Sequence, residues 1–295
     1  MKTYAVWRNY YELCKPRVVA LMLLTSIVGM LLATDHIPWQ ILFFGTLGIG
    51  LCAGAGGVIN QLIDHRIDSV MGRTKRRPIP SGNISPSKAG IFAFILSLSG
   101  MSILIFFVNT LTAILTFATL VGYAFIYTVF LKRATPQNIV IGGLAGATPP
   151  LLGWTAVTAS TDPAILLLVL LIFTWTPPHF WSLAIARYEE YKKAEIPMLP
   201  VTHGVPFTKL CIVLYTLLMV IISIMPFIIN MSGVPYLIGA LILGGVFLIK
   251  SCQLYKSNNP QVAMNTFYFS IFYLMAMFLL LLTDHYLNVL GGFHV

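Results

Sequence analysis

Long apolar runs alternate with short polar connectors from one end of this chain to the other. A helix needs about 20 mostly apolar residues to cross the hydrocarbon of a bilayer. Nine runs meet that requirement, at about residues 18–34, 39–63, 88–108, 111–131, 138–157, 163–186, 207–230, 235–252 and 265–283. The third and fourth are separated by little more than Asn109 and Thr110, and the fifth contains Gly142, Gly143, Gly146, Pro149 and Pro150. The first follows a basic N-terminus as a signal peptide would. No small-residue cleavage pattern precedes Asp35 and further spans follow, so it reads as a retained helix.

Composition agrees: 58% of the 295 residues are hydrophobic and only 9% are charged, against about 25% in a soluble domain, which makes this a polytopic membrane protein. With the N-terminus on the cytoplasmic side, all 18 Lys and Arg fall on inner segments and the C-terminus lies outside. The net charge of +9 therefore reflects orientation first, and contact with anionic membrane lipid or ligand second. No nucleic-acid module is indicated. The four cysteines (Cys14, Cys52, Cys211 and Cys252) lack pair spacing and read as packing residues.

The acids are concentrated. Of nine Asp and Glu, five (Asp64, Asp68, Glu189, Glu190 and Glu195) lie just past the cytoplasmic ends of the second and sixth spans. Each group is flanked by basic residues and followed by a proline-containing stretch, RPIPSG and IPMLP, which reads as a weak internal duplication of a four-helix unit with a ninth helix added. In NQLIDHRID, Asn60, Asp64 and Asp68 are spaced i, i+4, i+8, which on a continuing helix places them within about 80° of one another. Two carboxylates and an amide oxygen on one face suit Mg²⁺, which takes oxygen ligands and completes its shell with waters and substrate phosphates. Arg73, Lys75, Arg76 and Arg77, in a loop with Gly72, Pro78 and Pro80, supply cations for diphosphate oxygens. The competing reading is a solvated helix end whose carboxylates pair with neighbouring Arg and Lys. Asn60 weighs against it, because a polar group within an apolar helix is costly without a partner.

NQLIDHRID with RTKRRPIPSG resembles the NxxxDxxxD signature of the UbiA superfamily of intramembrane prenyltransferases. YTVFLKRATPQNIVIGGLAGATPPLLGW, TWTPPHFWSLAIARYEEYKKAEIPMLPVTHG and the nine-span layout are similar to the heme-farnesylating branch of that superfamily, over essentially residues 10–285. The first motif is shared by many acceptor classes; the PPHFW and IPMLP stretches point to the acceptor. The resemblance implies transfer of farnesyl from farnesyl diphosphate to a vinyl group of heme B. The product is the hydroxyethylfarnesyl side chain of heme O, used by terminal oxidases.

Asn60, Asp64 and Asp68 match the first Asp-rich motif and would hold Mg²⁺, with Arg73, Arg77 and Lys132 or Arg133 stabilising the charge that develops on diphosphate. Lys132 and Arg133 also fit simple topological anchors. Tyr123, Tyr127, Trp175, Phe180 and Trp181 offer ring faces to an allylic cation, though packing is the favoured explanation of each one. The second acidic region of other superfamily members is usually DxxxD; here Arg187, Tyr188, Glu189, Glu190, Tyr191, Lys192 and Lys193 stand in its place, so the resemblance does not carry a second full Mg²⁺ site. Through Arg187, Lys192 and Lys193 this segment binds diphosphate, or through Glu190 it positions Mg²⁺; alternatively it is a surface helix end with Glu189 and Lys193 paired. His179 is the one histidine within a hydrophobic span, and Pro177–Pro178 before it are expected to disrupt the helix locally, making it a candidate heme contact beside the alternative of a satisfied buried histidine.

The expected architecture is an all-α bundle of nine transmembrane helices around a central cavity open to the cytoplasmic side, one transmembrane domain over residues 1–295 in the inner membrane. A heme A synthase or terminal oxidase subunit is the kind of protein that would dock to it. Two rivals stay open: a superfamily member acting on an aromatic quinone precursor or a chlorin, and a membrane transporter. Transporter sites usually lie near the bilayer midplane, whereas these polar clusters sit at the inner edge.

Overall fold

A computed structural model describes residues 2–72 and 74–291, with the side chains of residues 2–5, 133, 290 and 291 outside the description. All regular structure among the described residues is helical: α1 (Lys2–Leu13), α2 (Pro16–Leu32), α3 (Trp39–Val70), α4 (Pro86–Phe107), α5 (Thr110–Val121), a π-helical stretch (Gly122–Leu131), α6 (Lys132–Ala134) and α7 (Asn138–Ala147). There follow α8 (Pro149–Thr158), α9 (Pro163–Ala186), α10 (Tyr188–Lys193), α11 (Leu199–Thr202), α12 (Val205–Ile228), α13 (Val234–Lys256) and α14 (Pro260–Gly291). Eight helical segments are each long and apolar enough to cross a membrane, and α1 with α2, bent by 51° between them, can form a ninth. The protein is therefore a multi-pass membrane protein.

Local sequence explains the breaks. Asn109 ends one run and starts the next, since its side chain accepts the Thr112 amide at 2.9 Å and caps α5. Its Nδ2 also donates to the carbonyl of Thr155 at 2.8 Å, fastening this turn to α8. The fifth apolar run divides into α7 and α8 at Thr148, because Pro149 and Pro150 have no amide hydrogen to continue the ladder and fit the first turn of a new helix.

One expectation is corrected here. Pro177 and Pro178 do not disrupt their helix: α9 runs unbroken from Pro163 to Ala186. Packing outweighs the lost backbone bonds. α9 is the central helix, contacting α7, α8, α12 and α14, with 67% of its apolar window buried. Leu168, Leu171, Ile172 and Trp175 meet Phe247, Tyr273, Met277 and Phe278 in the largest core cluster. The apolar windows of α4 and of α5 with its π extension are only 17% buried, so Phe94, Phe106 and Phe117 face outward, as lipid-facing positions do.

Close crossings replace a water-driven core where helices meet in lipid. At the α2–α8 contact a Cβ on Gly29 would stand 2.2 Å from the carbonyl oxygen of Pro150, and one on Gly153 would stand 1.9 Å from that of Ser26, so backbone touches backbone. Asp284 of α14 is 2% exposed and caps a different helix: its carboxylate accepts the Gly233 amide at 2.5 Å and the Tyr236 amide at 3.2 Å at the start of α13.

Candidate active site

α3 continues to Val70, about two turns past the end expected for the second span, so Asn60, Asp64 and Asp68 are successive rungs of one helix face. All three are buried, at 5%, 1% and 3% exposure. Two carboxylates here lie toward the C-terminal, electronegative end of α3, where the helix itself supplies no positive partner. Cations come from elsewhere in the fold. Lys132 Nζ is 2.5 Å from Asp64 Oδ2, and Arg77 Nη1 is 2.6 Å from Asp68 Oδ2. Thr74 Oγ1 donates to the carbonyl of Asp68 at 2.9 Å, folding the basic loop back over the end of α3.

The partner wall is the π-helical stretch. Its wider turn places residues five apart on one face, so Tyr127 is followed on that face by Lys132 and Tyr123 by Thr128. Asn60 Nδ2 donates to Thr128 Oγ1 at 3.2 Å and to Asp64 Oδ2 at 2.9 Å. Tyr123 and Tyr127 stack with centroids 5.6 Å apart. From the third side, Lys15, in the left-handed conformation between α1 and α2, donates to Asn60 Oδ1 and to Tyr123 Oη at 3.4 Å. Gln61 Nε2 holds the end of α1 in place through the carbonyls of Glu12 and Leu13 at 3.2 and 3.0 Å.

The second acidic region lies beside the first. Glu190 Oε1 accepts from Arg187 Nη1 at 3.0 Å, and its Oε2 is buried with no partner. A Cβ on Gly72 would stand 4.0 Å from that Oε2. A shallow cleft of about 250 Å³ between the two regions is lined by Arg66, Ile67 and Val70 on one side and Lys193, Ala194 and Glu195 on the other. The ion pair on this segment is Arg187–Glu190, in place of the Glu189–Lys193 alternative. Tyr191 is buried against Met71, Ile139 and Trp181; Lys192 is exposed and stands 5.8 Å from the Tyr188 ring, and Lys193 is exposed.

Other expected residues fall away from this centre or beyond the description. Lys75 and Arg76 are exposed on the loop. Arg73 lies outside the described residues, as does the side chain of Arg133. His179 is buried between the rings of Trp175 (4.3 Å) and Phe267 (4.6 Å), with Nδ1 2.7 Å from Ser270 Oγ. Of the other aromatic candidates, Trp181 is 1% exposed in the core and Phe180 is 38% exposed at the surface. Lys15 and Thr128 belong to the constellation without any motif to announce them. Pro16, a residue that fits the first turn of a helix, was the available sequence signal for a junction at Lys15.

Among the described residues no group of three or more His, Cys, Asp or Glu gathers as a self-sufficient metal cage. Two carboxylates and an amide could instead serve an ion that shares its shell with a phosphate ligand. The buried, unpartnered Asp64 Oδ1 is an acceptor in want of such a cation.

The chain belongs to the UbiA prenyltransferase family, which matches residues 22–282. It is 63% identical over 281 residues to the protein named Protoheme IX farnesyltransferase of Legionella pneumophila (strain Paris), covering 95% of this chain and 96% of that one. Its fold is that of digeranylgeranylglyceryl phosphate synthase (TM-score 0.79, 22% identity, 96% of this chain and 99% of that one). It is also that of a UbiA homologue from Archaeoglobus fulgidus bound to GPP and Mg²⁺ (TM-score 0.62, 16% identity, 92% and 99%).

Proposed function

We propose that this protein transfers the farnesyl group of farnesyl diphosphate to a vinyl group of heme B, giving the hydroxyethylfarnesyl side chain of heme O for terminal oxidases. The observation that carries the reading is the buried Asn60–Asp64–Asp68 face, cross-braced by Lys132 and Arg77, in a chain 63% identical to a protein named for that activity. Asp64 and Asp68, with Asn60 beside them, are the residues that would hold Mg²⁺. When bound, the ion supplies Lewis acidity to the departing diphosphate.

The side chains do the rest. Lys132 and Arg77, with Arg73, Lys75 and Arg76 on the same loop, neutralise charge on the diphosphate as the farnesyl C1–O bond breaks. Tyr123 and Tyr127 present ring faces beside Asp64, where an allylic cation is stabilised by the ring quadrupoles. Enclosure within the bundle keeps water away until the vinyl carbon has formed the new C–C bond. Water then adds to the resulting heme-side cation and a proton is released, which accounts for the hydroxyl. Arg187, Tyr188, Glu190, Tyr191 and Lys192 lie on or beside α10, whose end brings Lys193 to the cleft opposite Arg66, and together they form the diphosphate-side wall. His179, sandwiched between Trp175 and Phe267 and bonded to Ser270, fits the alternative of a satisfied buried histidine. The inner membrane is the site of action, with the N-terminus and the cationic loops cytoplasmic and the C-terminus outside.

Purified protein given farnesyl diphosphate, Mg²⁺ and either heme B or 4-hydroxybenzoate tests this. Heme B should gain a farnesyl group and a hydroxyl by mass, and Asp64→Asn should lower the rate at least about 100-fold, the scale of losing one electrostatic partner of a transition state. Prenylation of 4-hydroxybenzoate alone would remove the acceptor assignment.

A further inference from the structure

Asn60 can serve a cation only through one of its two amide atoms, and something must decide which. Its Nδ2 faces two acceptors, Asp64 Oδ2 at 2.9 Å and Thr128 Oγ1 at 3.2 Å. Thr128 Oγ1 acts as an acceptor here because its own hydrogen goes to the carbonyl of Tyr123 at 2.8 Å. That bond spans five residues, so it is a product of the π-helical turn; in an α-helix the carbonyl of Ala124 would be the one in reach. On the opposite side of the amide, Oδ1 receives the ammonium of Lys15. The three contacts agree on one orientation, since rotating the amide by 180° would set oxygen against two acceptors and nitrogen against an ammonium. Thr128 is 0% exposed and Asn60 is 5% exposed, so water does not substitute for either partner.

We propose that Thr128 is a positioning residue for the diphosphate site: with its hydroxyl locked by the π turn, it holds the Asn60 amide with Nδ2 on Asp64 Oδ2, which leaves the other, unpartnered oxygen of that carboxylate for the metal. This rests on the reading of Asn60, Asp64 and Asp68 as the metal-holding face. It assigns a purpose to the π-helical stretch, which turns an otherwise ordinary threonine into a fixed acceptor. Residues that orient a ligand in this way commonly change metal affinity by about 10–100-fold when removed.

The test is a Mn²⁺ titration followed by the EPR signal of the free ion, with the unreactive analogue farnesyl thiolodiphosphate present, on the full-length protein and on Thr128→Val, Thr128→Ser and Asp64→Asn. Thr128→Val keeps the shape and removes the acceptor, and should raise the half-saturating Mn²⁺ concentration about 10-fold or more. Thr128→Ser, which keeps the hydroxyl, should return it to within about 2-fold of the starting protein. An unchanged titration in Thr128→Val, or a Ser variant as weak as the Val variant, would overturn the proposal. Asp64→Asn separates the two levels of the argument: if it too leaves Mn²⁺ binding unchanged, the metal-holding face itself is wrong, whereas a loss there with none in Thr128→Val rejects only the positioning role.

Discussion

The two acidic regions at the inner edge are built from the same residue types and are held in different ways. In the first, carboxylates at 1% and 3% exposure depend on cations brought from α6 and from the loop after α3, with the amide between them pinned by Lys15 and Thr128. In the second, a six-residue helix carries a local Arg187–Glu190 pair three positions apart, with side chains 45% and 26% exposed. Water screens the Arg187–Glu190 pair of the second; the pairs of the first it cannot replace. Chemistry that needs preorganised charge therefore belongs to the enclosed cluster, and the exposed one is suited to gripping the distal part of a ligand.

The contrast is sharpest at Lys132. Lys132→Met leaves a buried Asp64 carboxylate without its cation, so it should abolish measurable transfer and also destabilise the fold by about 3–5 kcal/mol, read as an earlier unfolding midpoint. A variant with normal stability and normal turnover would place Asp64 in a far more hydrated setting than described. Glu190→Gln probes the seam between the regions. Its cost should be about 1 kcal/mol of ligand interaction, seen as a roughly 5-fold higher KM for farnesyl diphosphate at unchanged thermal stability. A loss as large as that of Asp64→Asn would promote the second region to an equal partner. Smallest of all, Lys192→Ala and Lys193→Ala should each stay within about 2-fold of normal kcat/KM, as exposed ion contacts do. A 100-fold fall in either would erase the distinction between the regions.

What the sequence disclosed follows from what lies on one element. Asn60, Asp64 and Asp68 share a helix, so their spacing was sufficient to group them, and the all-α architecture was written in the apolar runs. Their partners come from other elements, and no spacing rule ties residue 15 or residue 128 to residue 60. The π-helical stretch was invisible for another reason: GYAFIYTVFL has the composition of any apolar helix, and only the bonding pattern distinguishes it. α1 escaped because KTYAVWRNYYEL is too polar to register as an apolar run, although its end is fastened to the site by Gln61. The double proline in α9 misled in the opposite direction, since local propensity was outweighed by burial on several sides.

The cap that Asp284 places on α13 bears on how the chain is assembled. The amides of Gly233 and Tyr236 find their acceptor on a helix that is synthesised only afterwards, so the start of α13 stays incompletely bonded until the last helix has entered the bilayer and docked. α14 thus acts as a late-arriving lock on material inserted before it, and shortening the chain ahead of that carboxylate would leave the lock without its bolt.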